Sequence, residues 1–424
     1  MTRADCTRYR DELRAHLSEE LLPFWMSRVL DKDNGGYITH FDEHGQDSGE
    51  DEKSLIAQSR TLFTMSYAHR FGYGDGRCGE YAEHGLRFLL DRFRDPEHGG
   101  LYWMLDRGGR PVITKKILYG QSFAIYALAE YTRATGDRRG VETAADLFDL
   151  VQVYCGESAY GGYLEMFERD WRPCPPGAGG GDRKTLDVHM HLMEAFTALY
   201  AASNAEIHAR KLREIITLLV TRMFTEHGTG IPQFTVDWHV APQIKFEIVW
   251  GWDRFAEGGA KANALDNTSY GHNVEFAWLL REALHQLNDD IEPYKPLIRG
   301  ALDHAIRYGI DETHGGVYVE GAHDGPATDL AKEFWQQAEV MTGMLDGYSE
   351  FNDRRYLEAY TTVHRFVMRR MIHHSTGEWW PLLTREGEPI WRHMSHSWKV
   401  NYHTVRAVIN CIERLTALLD REML

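Results

Sequence analysis

Residues 98–111 read HGGLYWMLDRGGRP, and residues 118–135 read LYGQSFAIYALAEYTRAT. The first stretch opens on a glycine pair, runs through alternating aromatic and apolar residues, and closes on a polar turn. That is the pattern of a short β-hairpin. The second keeps apolar residues nearly all round a helical period, so it reads as a helix covered on every side. The hairpin pattern recurs as NGGYITHFDEHGQ (34–46), YGGYLEMFERDWRP (160–173), GTGIPQFTVDWHV (228–240), HGGVYVEGAHDGP (314–326) and STGEWWPLLTREGEP (375–389). The second glycines are Gly36, Gly100, Gly162, Gly230, Gly316 and Gly377, at successive gaps of 64, 62, 68, 86 and 61 residues. Between the hairpins lie paired helical stretches, twelve in all, beginning with LRAHLSEELLPFWMSRVL and ending with YHTVRAVINCIERLTALL. Two helices and a hairpin repeated six times predict an all-α fold: an (α/α)6 barrel of twelve helices, with short β-hairpins and long loops at one end. A linear solenoid is the alternative, but no repeat has the polar outer face of a capping unit. Residues 1–424 are therefore expected to form one catalytic domain.

Composition narrows the function. A formal net charge of −16 argues against a nucleic-acid groove or a polybasic membrane patch. No apolar run approaches the roughly 20 residues that cross a bilayer, and the charged N-terminus is unlike a secretory signal. Cys6, Cys78, Cys155, Cys174 and Cys411 are scattered, without a CxxC pair, which fits a reducing cytoplasm. The 12 Trp, 21 Tyr and 18 Phe suit a site that binds the flat apolar faces of sugars, although large cores also consume aromatics. The expected partner is a small molecule, bound by a monomer or weak homodimer.

Two loops interrupt the regularity. The long gap before Gly316 falls in residues 237–269, which carry Trp238, Trp250 and Trp252. Trp250 and Trp252 are candidates for a lid; packing on a neighbouring barrel face is the competing reading. CPPGAGGGD (174–182) has lost the GxGxxG spacing and follows no buried strand, so nucleotide binding is not expected.

Inner helices of such a barrel begin at one end, where residues remote in sequence converge. His189 and His191 are two apart on one helix and point in different directions, a poor metal pair. There is no HExxH and no zinc spacing, so no metal is expected. Asp187, His191 and Glu194 share one helical face, which also suits a satisfied core histidine. His272 opens another inner helix, with Glu275 one turn on, where it could orient or charge the imidazole. His403 holds the same place in the last repeat, with Trp398 before it, and Glu339 follows Trp335. These residues predict a cavity lined by imidazoles, carboxylates and tryptophans, and do not specify a reaction.

The segments QSRTLFT (58–64), KILYGQSFAIYALAEY (116–131), HMHLMEAFTALY (189–200), SYGHNVEFAWLL (269–280), KEFWQQAEV (332–340) and WKVNYH (398–403) together resemble the N-acylglucosamine 2-epimerase superfamily, in its cellobiose 2-epimerase and sugar 2-epimerase/isomerase branch. The resemblance covers nearly the whole chain and implies an (α/α)6 barrel. It places the acid/base histidines on His272 and His403 and a third histidine on His191. It puts substrate-binding residues at Arg60, Tyr119, Trp335, Glu339 and Trp398, with Asp187 and Glu275 beside them. Asp187 stands where cellobiose epimerases commonly carry Asn, and VNYH replaces their CPYH.

What the resemblance implies is epimerisation at C2 of a free reducing sugar without a cofactor. One histidine removes the C2 proton from the open-chain aldehyde, a cis-enediolate forms, and the other returns a proton to the opposite face. Arg60 and His191 would stabilise charge on oxygen. The long loop favours a monosaccharide such as D-mannose or D-glucose. A disaccharide epimerase, a mannose–fructose isomerase and a carboxylate-dependent glycoside hydrolase using Asp187, Glu275 or Glu339 are the alternatives, as is a sugar- or protein-binding barrel without catalysis.

Overall fold

A helix with one apolar stripe needs cover on one side, whereas a helix apolar all round must be enclosed. The computed structural model, which describes residues 1–242, 244, 246 and 267–421, arranges the two kinds as concentric rings. In chain order the helices are α1 (Arg3–Ala15), α2 (Leu55–Arg70), α3 (Cys78–Phe88), α4 (Leu118–Thr135), α5 (Arg138–Leu150) and α6 (Leu186–Ser203). They continue as α7 (Glu206–Leu218), α8 (Tyr270–Leu287), α9 (Lys295–His304), α10 (Phe334–Phe351), α11 (Arg354–Phe366) and α12 (Tyr402–Asp420). Even-numbered helices form the inner ring. Each packs on the next, and α12 returns to α2, so the ring closes and the solenoid alternative falls. Odd-numbered helices cover them from outside, with α1 lying on α12.

The two ends of the barrel are built differently. Four inner helices pass to outer ones through tight turns whose caps are left-handed, Gly136, Asn204, Asn288 and Asn352, whereas α2 ends on Phe71 at φ −90°. Outer helices pass to inner ones through the hairpins. Each outer helix first loosens into a π-helical turn, such as Val151–Cys155 after α5 and Val367–Met371 after α11. The glycine loop follows, closed by a single bridge, for example Arg94 to Leu101 or Ile310 to Val317. Gly99 and Gly100 have φ of 71° and 67° there. A Cβ on Gly100 would come within 2.5 Å of the Trp171 ring, so both backbone freedom and space demand glycine.

Five of the six loops are pinned by a side chain of an inner helix. Gln58 accepts from Tyr37 N (2.8 Å) and donates to Tyr37 O (2.8 Å). Gln121 does the same for Leu101, and Gln337 for Val317. In the third repeat His189 Nε2 accepts from Tyr163 N (3.1 Å), and in the fourth Asn273 accepts from Gly230 N (2.8 Å). Buried lysines just before the inner helices add ion pairs to four of these loops and tie down the sixth: Lys53–Asp31, Lys116–Asp95, Lys184–Glu157, Lys332–Asp311 and Lys399–Glu378.

The hairpins are present as expected, for instance Met104–Leu105 with Pro111–Ile113. Short strands that periodicity cannot reveal extend them. Lys53–Ser54, just ahead of α2, pairs with Met104–Leu105 of the next repeat, and Lys332–Glu333 ahead of α10 pairs with Leu382–Leu383. These cross-repeat pairs tie neighbouring hairpins into a collar around one mouth of the barrel. No described helix is long and apolar enough to cross a membrane.

Candidate active site

Every inner helix begins at the collar, so its first two turns face the same cavity. Arg60 comes from α2, Tyr119 and Phe123 from α4, Asp187, His191 and Glu194 from α6, His272, Glu275 and Trp278 from α8, Trp335 and Glu339 from α10, and Tyr402, His403 and Arg406 from α12. Trp398 enters from the segment just before α12.

One wall is aromatic and cationic. The Tyr119 and Trp398 rings stack at 5.0 Å and 20°. Arg60 donates to Trp398 O (2.9 Å) and to the Tyr119 hydroxyl (3.1 Å), and its guanidinium lies 4.4 Å from the Phe123 ring. The Tyr119 ring also meets His191 edge-on at 5.3 Å. Half-buried Trp398 and buried Tyr119 therefore offer a flat face beside a fixed positive charge.

The opposite wall carries the two histidines matched to the acid/base pair. The Trp335 ring is 4.6 Å from His272 and 5.9 Å from His403, so one indole adjoins both imidazoles. His403 Nδ1 donates to Glu339 Oε1 at 2.6 Å, which leaves Nε2 as the nitrogen available to a substrate. Burial, then the charges of Arg60 and Arg406 and the His191 ring, hold His403 well below the ordinary histidine range, so it rests as a neutral base. His272 is half-buried, with its backbone N–H on Ser269 Oγ.

Glu275 does something other than the expected orienting of His272: its Oε1 accepts from Arg406 Nη2 at 3.0 Å. Arg406 also donates to Glu339 Oε1 (2.8 Å), and its Nη1 bonds Glu194 Oε1 and the Tyr402 hydroxyl. Tyr402 donates to Glu194 (2.7 Å), His191 Nδ1 donates to Glu194 Oε2 (2.9 Å), and Trp278 Nε1 donates to Glu339 Oε2 (3.0 Å). Burial and the adjacent Glu339 push the Glu275 carboxyl well above the usual carboxylate range. For Glu194 burial works in the same direction, but Arg406, His191 and Tyr402 outweigh it and hold the group below that range. Glu275, Glu339 and His403 could supply metal ligands by proximity alone, their donor atoms lying within 4.8 Å of one another. Both carboxylates already accept from Arg406, and an added cation would face that guanidinium.

Asp187 is half-buried at the start of α6, accepting from Val188 N (3.0 Å). His189 turns away to the glycine loop, as the two-residue spacing from His191 requires. Trp238 is also structural: its Nε1 donates to Tyr160 O and Lys184 sits 4.4 Å from its ring. The Cys174–Asp182 loop closes on itself through Asp182, which accepts from Gly177 N. The lid candidates Trp250 and Trp252 lie outside the described residues. Sequence reading missed Arg406, Tyr402 and Trp278. The one local signal for Arg406 is that it lies one turn after His403 on the same helix.

Comparison with known proteins agrees with this arrangement. Residues 36–407 match the model of the N-acylglucosamine 2-epimerase (GlcNAc 2-epimerase) family. Cellobiose 2-epimerase of Bacteroides fragilis is 30% identical over 96% of this chain and 98% of its own length. D-mannose isomerase of Marinomonas mediterranea is 25% identical over 95% and 97%. The structure of cellobiose 2-epimerase from Spirochaeta thermophila superposes with a TM-score of 0.85 at 29% identity, covering 98% of each chain. A closed barrel, a collar of hairpins, a histidine-rich mouth and these full-length likenesses lead to one conclusion: the chain belongs to the N-acylglucosamine 2-epimerase family and is an enzyme acting on carbohydrates.

Proposed function

We propose that the protein epimerises a free reducing sugar at C2, interconverting D-mannose and D-glucose, with His272 and His403 as the acid/base pair. The observation that carries this reading is the placement of both imidazoles against Trp335, with His403 fixed through Nδ1 by Glu339. The open-chain aldehyde lies against Trp398 and Tyr119. His403 Nε2 takes the C2 proton, and the electron pair moves into the C1–C2 bond as the carbonyl oxygen becomes an enediolate. Arg60 and His191 stabilise that oxygen charge. Protonated His272 delivers a proton to the other face of C2, and the reverse direction exchanges the two roles. Two imidazoles suit this reaction because His403, held neutral, is ready to accept the proton while its partner donates one.

Monosaccharide preference rests on the long segment before His272. Disaccharide epimerisation is the second reading, supported by the 30% identity to a cellobiose 2-epimerase over nearly all of both chains. The test is incubation in deuterated buffer with D-mannose, cellobiose and mannobiose in parallel, followed by NMR. D-Glucose with deuterium at C2 supports the proposal. Fructose as the first product moves the reaction to aldose–ketose isomerisation. Exchange on the disaccharides alone establishes the second reading. Absence of exchange on every sugar tried refutes the chemistry.

A further inference from the structure

The basic side chain at the centre of the site belongs to none of the sugar-facing groups. Arg406 is 2% exposed and is bonded to carboxylates from three different helices: Glu194 on α6, Glu275 on α8 and Glu339 on α10. Two of those carboxylates are the acceptors of imidazole N–H groups, Glu194 for His191 and Glu339 for His403. A carboxylate held against an imidazole in a water-poor site ordinarily draws a second proton onto the ring, because the resulting ion pair is favourable. A carboxylate that also accepts from a guanidinium has part of its charge satisfied and draws that proton less strongly.

We propose that Arg406 is a positioning residue that keeps His403 in the neutral Nδ1–H form by claiming its acceptor Glu339, while it also holds Glu194, the acceptor of His191 Nδ1. The groups around these two rings come from every inner helix. Arg60 lies on α2, Tyr119 and Phe123 on α4, Glu194 on α6, Glu275 on α8, Phe334, Trp335 and Glu339 on α10, and Tyr402 and Arg406 on α12. Three carboxylates about one guanidinium carry one negative charge more than the two that the paired histidines need as acceptors. Glu275 absorbs the difference: one of its oxygens is bonded to Arg406, and the other, Oε2, is buried with no hydrogen-bond partner among the described residues, the place for a carboxyl proton. Arg406 thus couples the two imidazoles, since any proton gained at one carboxylate alters the guanidinium's hold on the other.

The inference depends on the epimerase reading only for its kinetic arm, so it is tested first without turnover. The intact protein, labelled with 13C-histidine, is titrated by NMR as wild type, Arg406→Lys and Arg406→Met, with His191→Gln and His403→Gln to assign the resonances. Arg406→Met should raise the titration midpoint of His403 by at least one pH unit, a tenfold gain in proton affinity. Arg406→Lys retains the charge but cannot span carboxylates on three helices, and should also raise the His403 midpoint. The acid limb of kcat/KM should rise with the His403 midpoint, whereas loss of packing alone lowers activity without moving that limb. A His403 midpoint unchanged within a few tenths of a unit in folded Arg406→Lys overturns the proposal, even if Arg406→Met fails to fold. A wild type that exchanges no sugar proton refutes the epimerase reading and leaves the titration to decide the role of Arg406.

Discussion

His189 occupies the position that holds Gln58, Gln121 and Gln337 in other repeats, and it makes this protein's third loop sensitive to acid. Both ring nitrogens are committed: Nδ1 donates to Thr185 O (2.8 Å) and Nε2 accepts from Tyr163 N (3.1 Å). A proton on Nε2 would turn an acceptor into a donor facing another donor. The ring is fully buried, and burial, aided by Lys184, pushes it down to about 4. The unfolded chain takes up its proton near pH 6.5, whereas the folded chain refuses it until about pH 4, so stability falls as pH drops through that window. At 1.36 kcal/mol per pH unit the loss is about 3 kcal/mol. With an unfolding entropy of about 2.1 cal/mol/K per residue, that corresponds to about 3 °C in melting temperature for a chain of this length. His189→Gln supplies the amide acceptor of the sister repeats and cannot titrate. Urea unfolding of both proteins at pH 7.5 and pH 4.5 should show near-equal stability at the higher pH and an advantage of about 2 to 3 kcal/mol for the variant at the lower. Other buried histidines, including His396 and His403, steepen the acid limb of both proteins alike, so the difference isolates His189. Parallel acid limbs for wild type and variant would refute the reasoning.

Lys399→Met should cost about 3 to 5 kcal/mol, because it leaves Glu378 buried without its cation. Adding Glu378→Gln should recover more than half of that in chemical denaturation, and a double variant no more stable than the single one would exclude the ion pair as the cause. His403→Asn and His272→Asn should each lower C2 proton exchange by about 10²- to 10⁴-fold while the protein still melts cooperatively; exchange rates near wild type would remove them from the chemistry. Trp398→Ala removes the ring stacked on Tyr119 and the apolar face beside Arg60. It should raise KM more than it lowers kcat, and an unchanged KM would mean that the sugar lies elsewhere.

The ring architecture was legible because six glycine loops and twelve apolar helical stretches each repeat a strong local signal. The strands ahead of the inner helices were not, since two residues such as Lys53–Ser54 carry no period and owe their conformation to a partner in the next repeat. Within the site, His191 and Glu194 were legible as neighbours because i,i+3 spacing places them on one helix face. The same rule suggested that Glu275 would serve His272, but a guanidinium from α12 offers a buried carboxylate stronger hydrogen bonds than a half-exposed imidazole. Contacts between helices far apart in sequence decide that competition, and no local window contains them.

Closure of the ring also bears on how the chain is made. The apolar face of α1 (Cys6, Tyr9 and Leu13) is covered by α12 and α11. Arg3 donates to Leu419 O, His364 Nε2 meets Glu12, and Arg365 donates to the Tyr9 hydroxyl. Helix α1 is therefore made long before α11 and α12, the barrel helices it packs on. At about 5–20 residues per second, that face waits from twenty seconds to more than a minute for its cover. Production of this enzyme should accordingly depend on chaperone supply and on translation speed, even though the finished ring of helices closes on itself.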